Sequence, residues 1–325
     1  MINYSIIIPH FNIPDLLARC LRSIPERDDV QVIVVDDNSP GNDQYLDTIP
    51  ELKRKNVEFY VTKDGLGAGH ARNVGLSHAV GKWLVFSDSD DFFVEDLGEI
   101  LDQYVNDSHD ILYFNIKSCD CYDTAKMVAA DNLRLYKETG DEYALRVCHT
   151  EPWGKIIRHS IIEENNVSFQ ETKAHNDLLF SVKVGLLAKS IVAIDRPLYW
   201  YVIREGSLGH QKGCESFEKV CDRAQAWYST EKYLNSNGIK THFHLPVISI
   251  ARFLPKHLGM YFRLLKFMKK YNMDYLRTIK DTIRYAFIRY FGDVNRISYY
   301  GMIDQNSIKE KKPLTKESNT ISPQL

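Results

Sequence analysis

Cysteine is scarce in this chain of 325 residues, and its six copies, at 20, 119, 121, 148, 214 and 221, lack zinc-ligand spacing. A disulfide scaffold and a zinc module are therefore not expected, and a reduced, cytoplasmic setting is. Cys119-x-Cys121 is the one close pair, a poor candidate for a metal or redox centre. Long apolar runs are missing as well. Leu245–Leu254 is the longest candidate and contains Arg252, well short of the roughly 18 residues that span a bilayer. Ile6–Ile8 is too short for a secretory signal and meets Pro9 at once. No internal repeat is visible. The dinucleotide fingerprint Gly-x-Gly-x-x-Gly is incomplete, since Gly65-x-Gly67 is followed by His70 where the third glycine belongs. A Rossmann oxidoreductase is accordingly disfavoured.

A hydrophobic content of 44% is present, enough for a sizeable core in one large domain or two ordinary ones. The net charge of -2 hides an asymmetry. Acidic residues outnumber basic ones up to residue 130, whereas basic residues dominate from Arg252 to Arg296, so the C-terminal part should prefer an anionic partner.

Short apolar runs alternate with helical patterns through the first half. Tyr4–Ile8, Val30–Val35, Val57–Thr62 and Trp83–Phe86 read as strands. Ile13–Ile24, Gln44–Lys55 and His70–Ala79 read as helices between them. Regular alternation of this kind predicts a mostly parallel nucleotide-binding sheet with helices on both faces. Leu97–Val105 (helix) and Ile111–Ile116 (strand) follow. Residues 118–137 read as a hairpin or excursion, Asp141–Cys148, Ser160–Asn165 and Asp177–Ala188 as helices, and Ser190–Ile194 and Leu198–Ile203 as two short strands. From Gly213 the pattern is helical: Glu215–Asn235, Leu245–Tyr271 and Tyr275–Phe291. The expected organisation is an α/β domain over 1–212, a helical region over 213–307 and a disordered polar tail over 308–325.

Four polar clusters fall at predicted strand ends: Pro9-His10-Phe11-Asn12, Asp36-Asp37, Gly65–Asn73 and Asp88–Asp91. The carboxyl ends of parallel strands open on one sheet edge, where such sheets bind ligands. Taken singly, each cluster also reads as turn or capping chemistry. Asp88, Asp90 and Asp91 lie within four residues, and three carboxylates so close are tolerated when solvated or when a hard, oxygen-preferring cation neutralises them.

In order and spacing, Ser5–Asn12, Val34–Ser39, Gly69-His70-Ala71-Arg72-Asn73-Val74-Gly75 and Phe86–Asp91 resemble the family 2 glycosyltransferases. The likeness continues through Trp153-Gly154-Lys155, Phe169, Asn176-Asp177 and Tyr201–Ser207, and covers roughly residues 3–210. The resemblance implies a GT-A fold, a nucleotide-diphosphate sugar donor, Mn²⁺ or Mg²⁺, and inversion at the anomeric carbon. By the same resemblance Pro9 and Phe11 line the base pocket, Asp37 accepts from a uracil base, Arg72 sits near the nucleotide and Asp88 reaches the ribose, with Ser89 beside it on the donor side. Asp90 binds the metal that bridges the diphosphate, offsetting charge on the leaving group. Asp177 is the base that takes the acceptor's proton, and it follows Asn176 where many relatives have Glu. Arg204 contacts the diphosphate or, alternatively, forms a surface ion pair, and Trp153, Lys155 and Asp91 shape the acceptor side, with core packing the equal alternative for Trp153. His10 stands where relatives carry a small or apolar residue and reads as an ordinary loop histidine.

The C-terminal helices interleave basic and aromatic residues, a composition suited to an anionic membrane surface through 245–296, to a solvated face over their own core, or to a homodimer interface. No nucleic-acid module is present. The expected activity is transfer of a hexose or N-acetylhexosamine from a UDP-sugar to a glycan, lipid-diphosphate-linked in the favoured version, during surface polysaccharide or lipopolysaccharide synthesis. The expected location is the cytoplasm, peripheral on the inner face of the membrane. The rivals are a catalytically silent sugar-nucleotide-binding protein and a phosphatase that uses Asp-x-Asp.

Overall fold

In the computed structural model the β-branched run after Asn3 forms β1 (Tyr4–His10), buried along its whole length. It lies between two parallel neighbours, β2 (Val30–Asp36) and β4 (Trp83–Phe86), and β3 (Val57–Val61) adds a further parallel strand outside β2. β1, β2 and β4 carry apolar residues on both faces rather than at alternate positions, because both faces are covered. On one face Ile6, Ile8, Val32 and Val34 meet Leu17, Cys20 and Leu21 of α1 (Pro14–Arg22) and Ile100 and Leu101 of α4 (Leu97–Tyr104). On the other, Ile7, Ile33 and Val35 meet Ala71 of α3 (Ala68–His78). Gly75 makes that second packing possible, since a Cβ there would lie 2.5 Å from Cγ2 of Ile7.

The sheet order is β3-β2-β1-β4-β7-β6-β8-β5. β7 (Lys155–Arg158) is antiparallel to both β4 and β6 (Ile111–Ser118), β8 (Ile191–Tyr201) is parallel to β6, and β5 (Phe92–Phe93) is antiparallel to β8. The sheet is thus mostly parallel, as the alternation predicts.

The structure describes residues 1–118, 128–202, 216–242, 244–247 and 257–291. Two elements differ from expectation and one refines it. The single helix expected over Gln44–Lys55 is broken into a 3₁₀ turn, the short α2 (Tyr45–Thr48) and a second 3₁₀ turn from Pro50, because proline has no N–H to continue the ladder. The hairpin or excursion expected over 118–137 contains helix α5 (Val128–Thr139) in its described part. The two short strands expected around Asp195-Arg196-Pro197 are one strand, β8, whose register against β6 shifts around Asn115, which is paired with Pro197. A bulge accommodates the proline that looks like a turn in sequence.

The short α6 (Tyr143–Arg146) and α7 (His159–Asn165) precede α8 (Leu178–Leu187). The chain divides into two compact units. The first holds Met1–Glu171 and the chain from Phe180 through β8. The second holds Thr172–Leu179 together with α9 (Phe217–Ser236), α10 (Leu258–Lys270) and α11 (Tyr275–Phe291). Ser216 caps α9 by accepting from the Lys219 N–H at 3.3 Å. Val220, Ala224, Leu264 and Met268 form the centre of the helical core. Glu231 is buried there and accepts from His244 Nδ1 (2.6 Å), the Leu245 N–H (3.0 Å), Thr241 Oγ1 (3.0 Å) and Arg277 (2.8 Å), which satisfies a charge that would otherwise be prohibitive. Among the described residues no helix is long and apolar enough to cross a membrane.

Candidate active site

β1, β2 and β3 finish level, with His10 opposite Asp36 and Asp36 opposite Val61. The loops beyond turn back sharply. Asn12 (φ 53°) and Asn38 (φ 62°) take left-handed conformations that asparagine tolerates better than most residues. Pro9 is buried in β1, while Phe11, just past it, is 57% exposed and offers an uncovered aromatic face.

His10 is a tether rather than a loose loop residue. Its Nε2 accepts from the Ile13 N–H at 3.2 Å, so the proton resides on Nδ1, which points at Asp36 Oδ1 at 3.2 Å. Asp36 also accepts from the Ser39 N–H at 2.8 Å, and Ser39 Oγ accepts from the Asn12 N–H at 2.7 Å. Burial pushes the Asp36 carboxyl up, but the hydrogen bonds from His10 and Ser39 outweigh it and hold the group below the usual carboxylate range. One buried carboxylate therefore pins the loops after β1 and β2 together.

Asp37 does the same for the glycine-rich loop after β3, accepting from the Gly67 N–H at 2.7 Å and from Thr62 Oγ1 at 3.1 Å. Each carboxylate oxygen keeps a second lone pair. Arg72, on α3, donates to Asp88 Oδ1 at 2.5 Å and lies 5.3 Å from the Phe169 ring. The two residues expected at the nucleotide are thus paired with each other, with the Asp88 side chain still partly open to solvent.

The three neighbouring aspartates separate by environment. Asp88 and Asp90 are partly exposed, whereas Asp91 is buried and accepts from Tyr199 Oη (2.8 Å) and the Val202 N–H (2.7 Å). Burial, then the neighbouring Asp88 carboxylate, pushes the Asp91 carboxyl up to about 8. Its side chain is turned into the protein, toward β8. Ser89 is buried as well. Burial raises the Tyr199 hydroxyl well above its ordinary range, so it keeps its proton. The same oxygen accepts from the Asp88 N–H at 2.9 Å, which joins the aspartate loop to β8.

Trp153 and Lys155 are also buried. Trp153 stacks between Tyr199 and Tyr201 at centroid distances of 5.4 and 5.5 Å. Lys155 Nζ donates to the His149 carbonyl at 2.8 Å and lies over the Tyr113 ring. Asp177, immediately before α8, groups with the helical unit, as does Lys173, whose N–H donates to Asp222 at 2.9 Å. Arg204 lies outside the described residues.

Several contributors carry no local signal. Arg19 of α1 donates to the Asp90 carbonyl at 2.5 Å and covers the Phe92 ring, and two neighbours on the same helix region, Cys20 and Ser23, meet Ser87 and the Phe93 N–H. α1 therefore cradles the whole aspartate loop. Asn73 clamps Phe169 through both backbone groups, at 2.8 and 3.0 Å, and His70 meets Glu171 at 3.0 Å. The Arg-Asn-Val-Gly stretch suggested a motif, but nothing in it identified residue 169 as the partner.

The model for glycosyl transferase family 2 matches residues 5–165, which contain all four strand-end clusters. The chain carries a family 2 glycosyltransferase domain. A poly(ribitol-phosphate) beta-N-acetylglucosaminyltransferase, TarS of Staphylococcus aureus, is 29% identical over 219 residues, 63% of this chain and 36% of its own length. A poly(ribitol-phosphate) beta-glucosyltransferase of Bacillus spizizenii is 30% identical over 218 residues, 62% of this chain and 32% of its own. The chain spans about a third of the length of these relatives. The crystal structure of S. aureus TarS residues 1–349 in complex with UDP-GlcNAc matches with a TM-score of 0.56 at 21% identity, over 88% of this chain and 92% of that one, and shows that the glycosyltransferase domain has the GT-A fold. That membership displaces the phosphatase reading of Asp88-x-Asp90. Asp177 and Arg204 lie beyond the matched span.

Proposed function

We propose that this protein is an inverting glycosyltransferase that moves a hexose or N-acetylhexosamine from a UDP-sugar to a hydroxyl of a cell-surface glycan, with Mn²⁺ or Mg²⁺ at Asp90. The observation that carries the reading is the convergence of Phe11, Asp37, Arg72, Asp88 and Asp90 on the carboxyl ends of β1, β2 and β4 and the start of α3. The relatives named for N-acetylglucosaminyl and glucosyl transfer to poly(ribitol phosphate) support a hexose class of donor and a polymeric polyol-phosphate or glycan acceptor; the proposal adds that the acceptor is carried on a lipid diphosphate at the cytoplasmic side of the membrane.

The donor set suits the cation. Among the described residues no cluster of three or more His, Cys, Asp or Glu side chains forms a cage. Mg²⁺ and Mn²⁺ at phosphate-transfer sites do not need one, since they keep waters and are held by one or two carboxylates plus the substrate's phosphates. Asp90, partly exposed in the loop after β4, is the carboxylate we assign to that role. A cation held there would supply Lewis-acid stabilisation of the departing diphosphate. Phe11 stacks on the base, Asp37 receives a hydrogen bond from it, and Asp177 removes the proton of the attacking hydroxyl.

The experiment is a transfer assay with UDP-GlcNAc and UDP-glucose against a polyol-phosphate acceptor, on wild type and Asp177→Asn. The expected result is sugar transfer that falls by about 10²–10⁴ in the variant, with UDP affinity unchanged. An Asp177→Asn protein that transfers sugar at the wild-type rate removes Asp177 from the chemistry.

A further inference from the structure

Among the described residues, half of the strongly exposed large apolar side chains are crowded into α10, α11 and the turn between them: Leu258, Phe262, Tyr271, Leu276, Ile283 and Phe287. On α11 the arrangement is a stripe. Leu276, Ile283 and Phe287 are 64%, 69% and 66% exposed at positions i, i+7 and i+11, so they project from one side of the helix. Lys280 and Arg284 lie on the same exposed side. The opposite side, Thr278, Asp281 and Thr282, is buried. On α10, Tyr261, Leu264, Leu265 and Met268 face the core, while Phe262, Lys266 and Lys269 face outward.

The charge on these outward faces has one sign. Arg263, Lys266, Lys269, Lys270, Lys280 and Arg284 are exposed, and the single exposed acid between 257 and 287 is Asp274, whose carboxylate accepts from the Arg277 N–H at the start of α11. Asp281 is turned inward, where it accepts from the His244 N–H at 2.7 Å. Two copies of this surface would place like charges against each other, so self-association is electrostatically opposed. Single-stranded nucleic acid calls for ring platforms in a groove, and aliphatic Leu276 and Ile283 on a convex helix offer none. An anionic bilayer satisfies both features at once, with apolar side chains entering the boundary between headgroups and acyl chains while lysine and arginine remain among the headgroups.

We infer that the outer faces of α10 and α11 form an adhesion surface for an anionic lipid bilayer. The inference is independent of the donor sugar, because adhesion needs no nucleotide.

The test is co-sedimentation of the full chain, at low ionic strength, with vesicles of phosphatidylcholine and with vesicles of equal parts phosphatidylcholine and phosphatidylglycerol. Wild type is expected to pellet with the anionic vesicles only and to be released by salt. Lys266→Ala and Lys280→Ala should each weaken the partitioning about fivefold. Ile283→Asn should weaken it about tenfold or more. All three sites are exposed, so helical circular dichroism and the melting temperature should stay at wild-type values. Failure of wild type to pellet, equal pelleting with neutral vesicles, or pelleting that none of the three variants weakens would each overturn the inference. A dimer dispersed by Ile283→Asn, with no vesicle binding, would overturn it too and reassign the face to a second copy of the chain.

Discussion

At the scale of single residues, the strand-end loops are organised by buried carboxylates whose partners leave little freedom. His10 must accept at Nε2 from the Ile13 N–H and so must donate from Nδ1, which requires an acceptor at Asp36. Asn at position 36 has one acceptor oxygen for the three donors His10 Nδ1, Ser39 N–H and Asn42 Nδ2 and brings an N–H₂ of its own. Asp36→Asn is therefore expected to lower stability at neutral pH by about 1–3 kcal/mol. The pH dependence follows from the direction of the shift. The Asp36 carboxyl is held below its ordinary value in the folded protein, so the unfolded chain binds the proton more readily and stability falls as pH falls. The contribution is complete above the unfolded value, about 3.9, and disappears below the folded one. Urea unfolding of wild type and variant between neutral and acid pH should show the gap narrowing below about pH 4. A gap that is constant with pH would contradict the assignment.

At the scale of elements, α1 acts as the bed of the aspartate loop. Arg19→Met keeps the apolar stem of the side chain but removes the guanidinium, and with it both the hydrogen bond to the Asp90 carbonyl and the contact over Phe92. The expected result is Mn²⁺ binding weakened about tenfold, equivalent to about 1.4 kcal/mol, with metal-free UDP binding unchanged. Calorimetry checks both, and unaltered Mn²⁺ affinity would show that the loop holds its shape without α1. In the helical unit, Glu231→Ala leaves Arg277, the His244 imidazole and the Leu245 N–H without their shared acceptor and should destabilise the chain by about 3–5 kcal/mol. Its midpoint in urea measures that loss.

Elements and residues were legible in the sequence to the extent that their determinants are local. The four strand-end clusters were readable because an apolar run followed at once by Asp, Asn or Gly declares a buried strand and its loop within about ten residues. Arg19 and Tyr199 were not, since their contacts with the aspartate loop span 71 and 108 positions. The merger of two short strands into β8 was hidden by Pro197, which is turn chemistry locally and a bulge only once β6 is alongside. Trp153 and Lys155 were found as a pattern, but sequence cannot tell a lysine that meets substrate from one buried over Tyr113.

At the scale of the whole molecule, the chain joins a GT-A glycosyltransferase unit to a helical unit that contains Asp177 and carries a basic, partly apolar exterior. The proposed roles are donor and metal binding by the strand-end residues, proton removal by Asp177, and adhesion to lipid by α10 and α11. The central claim is that the first unit binds a uridine diphosphate through a cation at Asp90. Its most direct test is calorimetric titration of UDP, GDP and CDP, with and without Mn²⁺, into wild type and Asp90→Ala. The account predicts preference for UDP, affinity raised about tenfold or more by Mn²⁺ in wild type, and no such gain in Asp90→Ala, whose metal-free UDP binding persists. Preference for GDP, an undiminished Mn²⁺ effect in Asp90→Ala, or no nucleotide binding at all would contradict it.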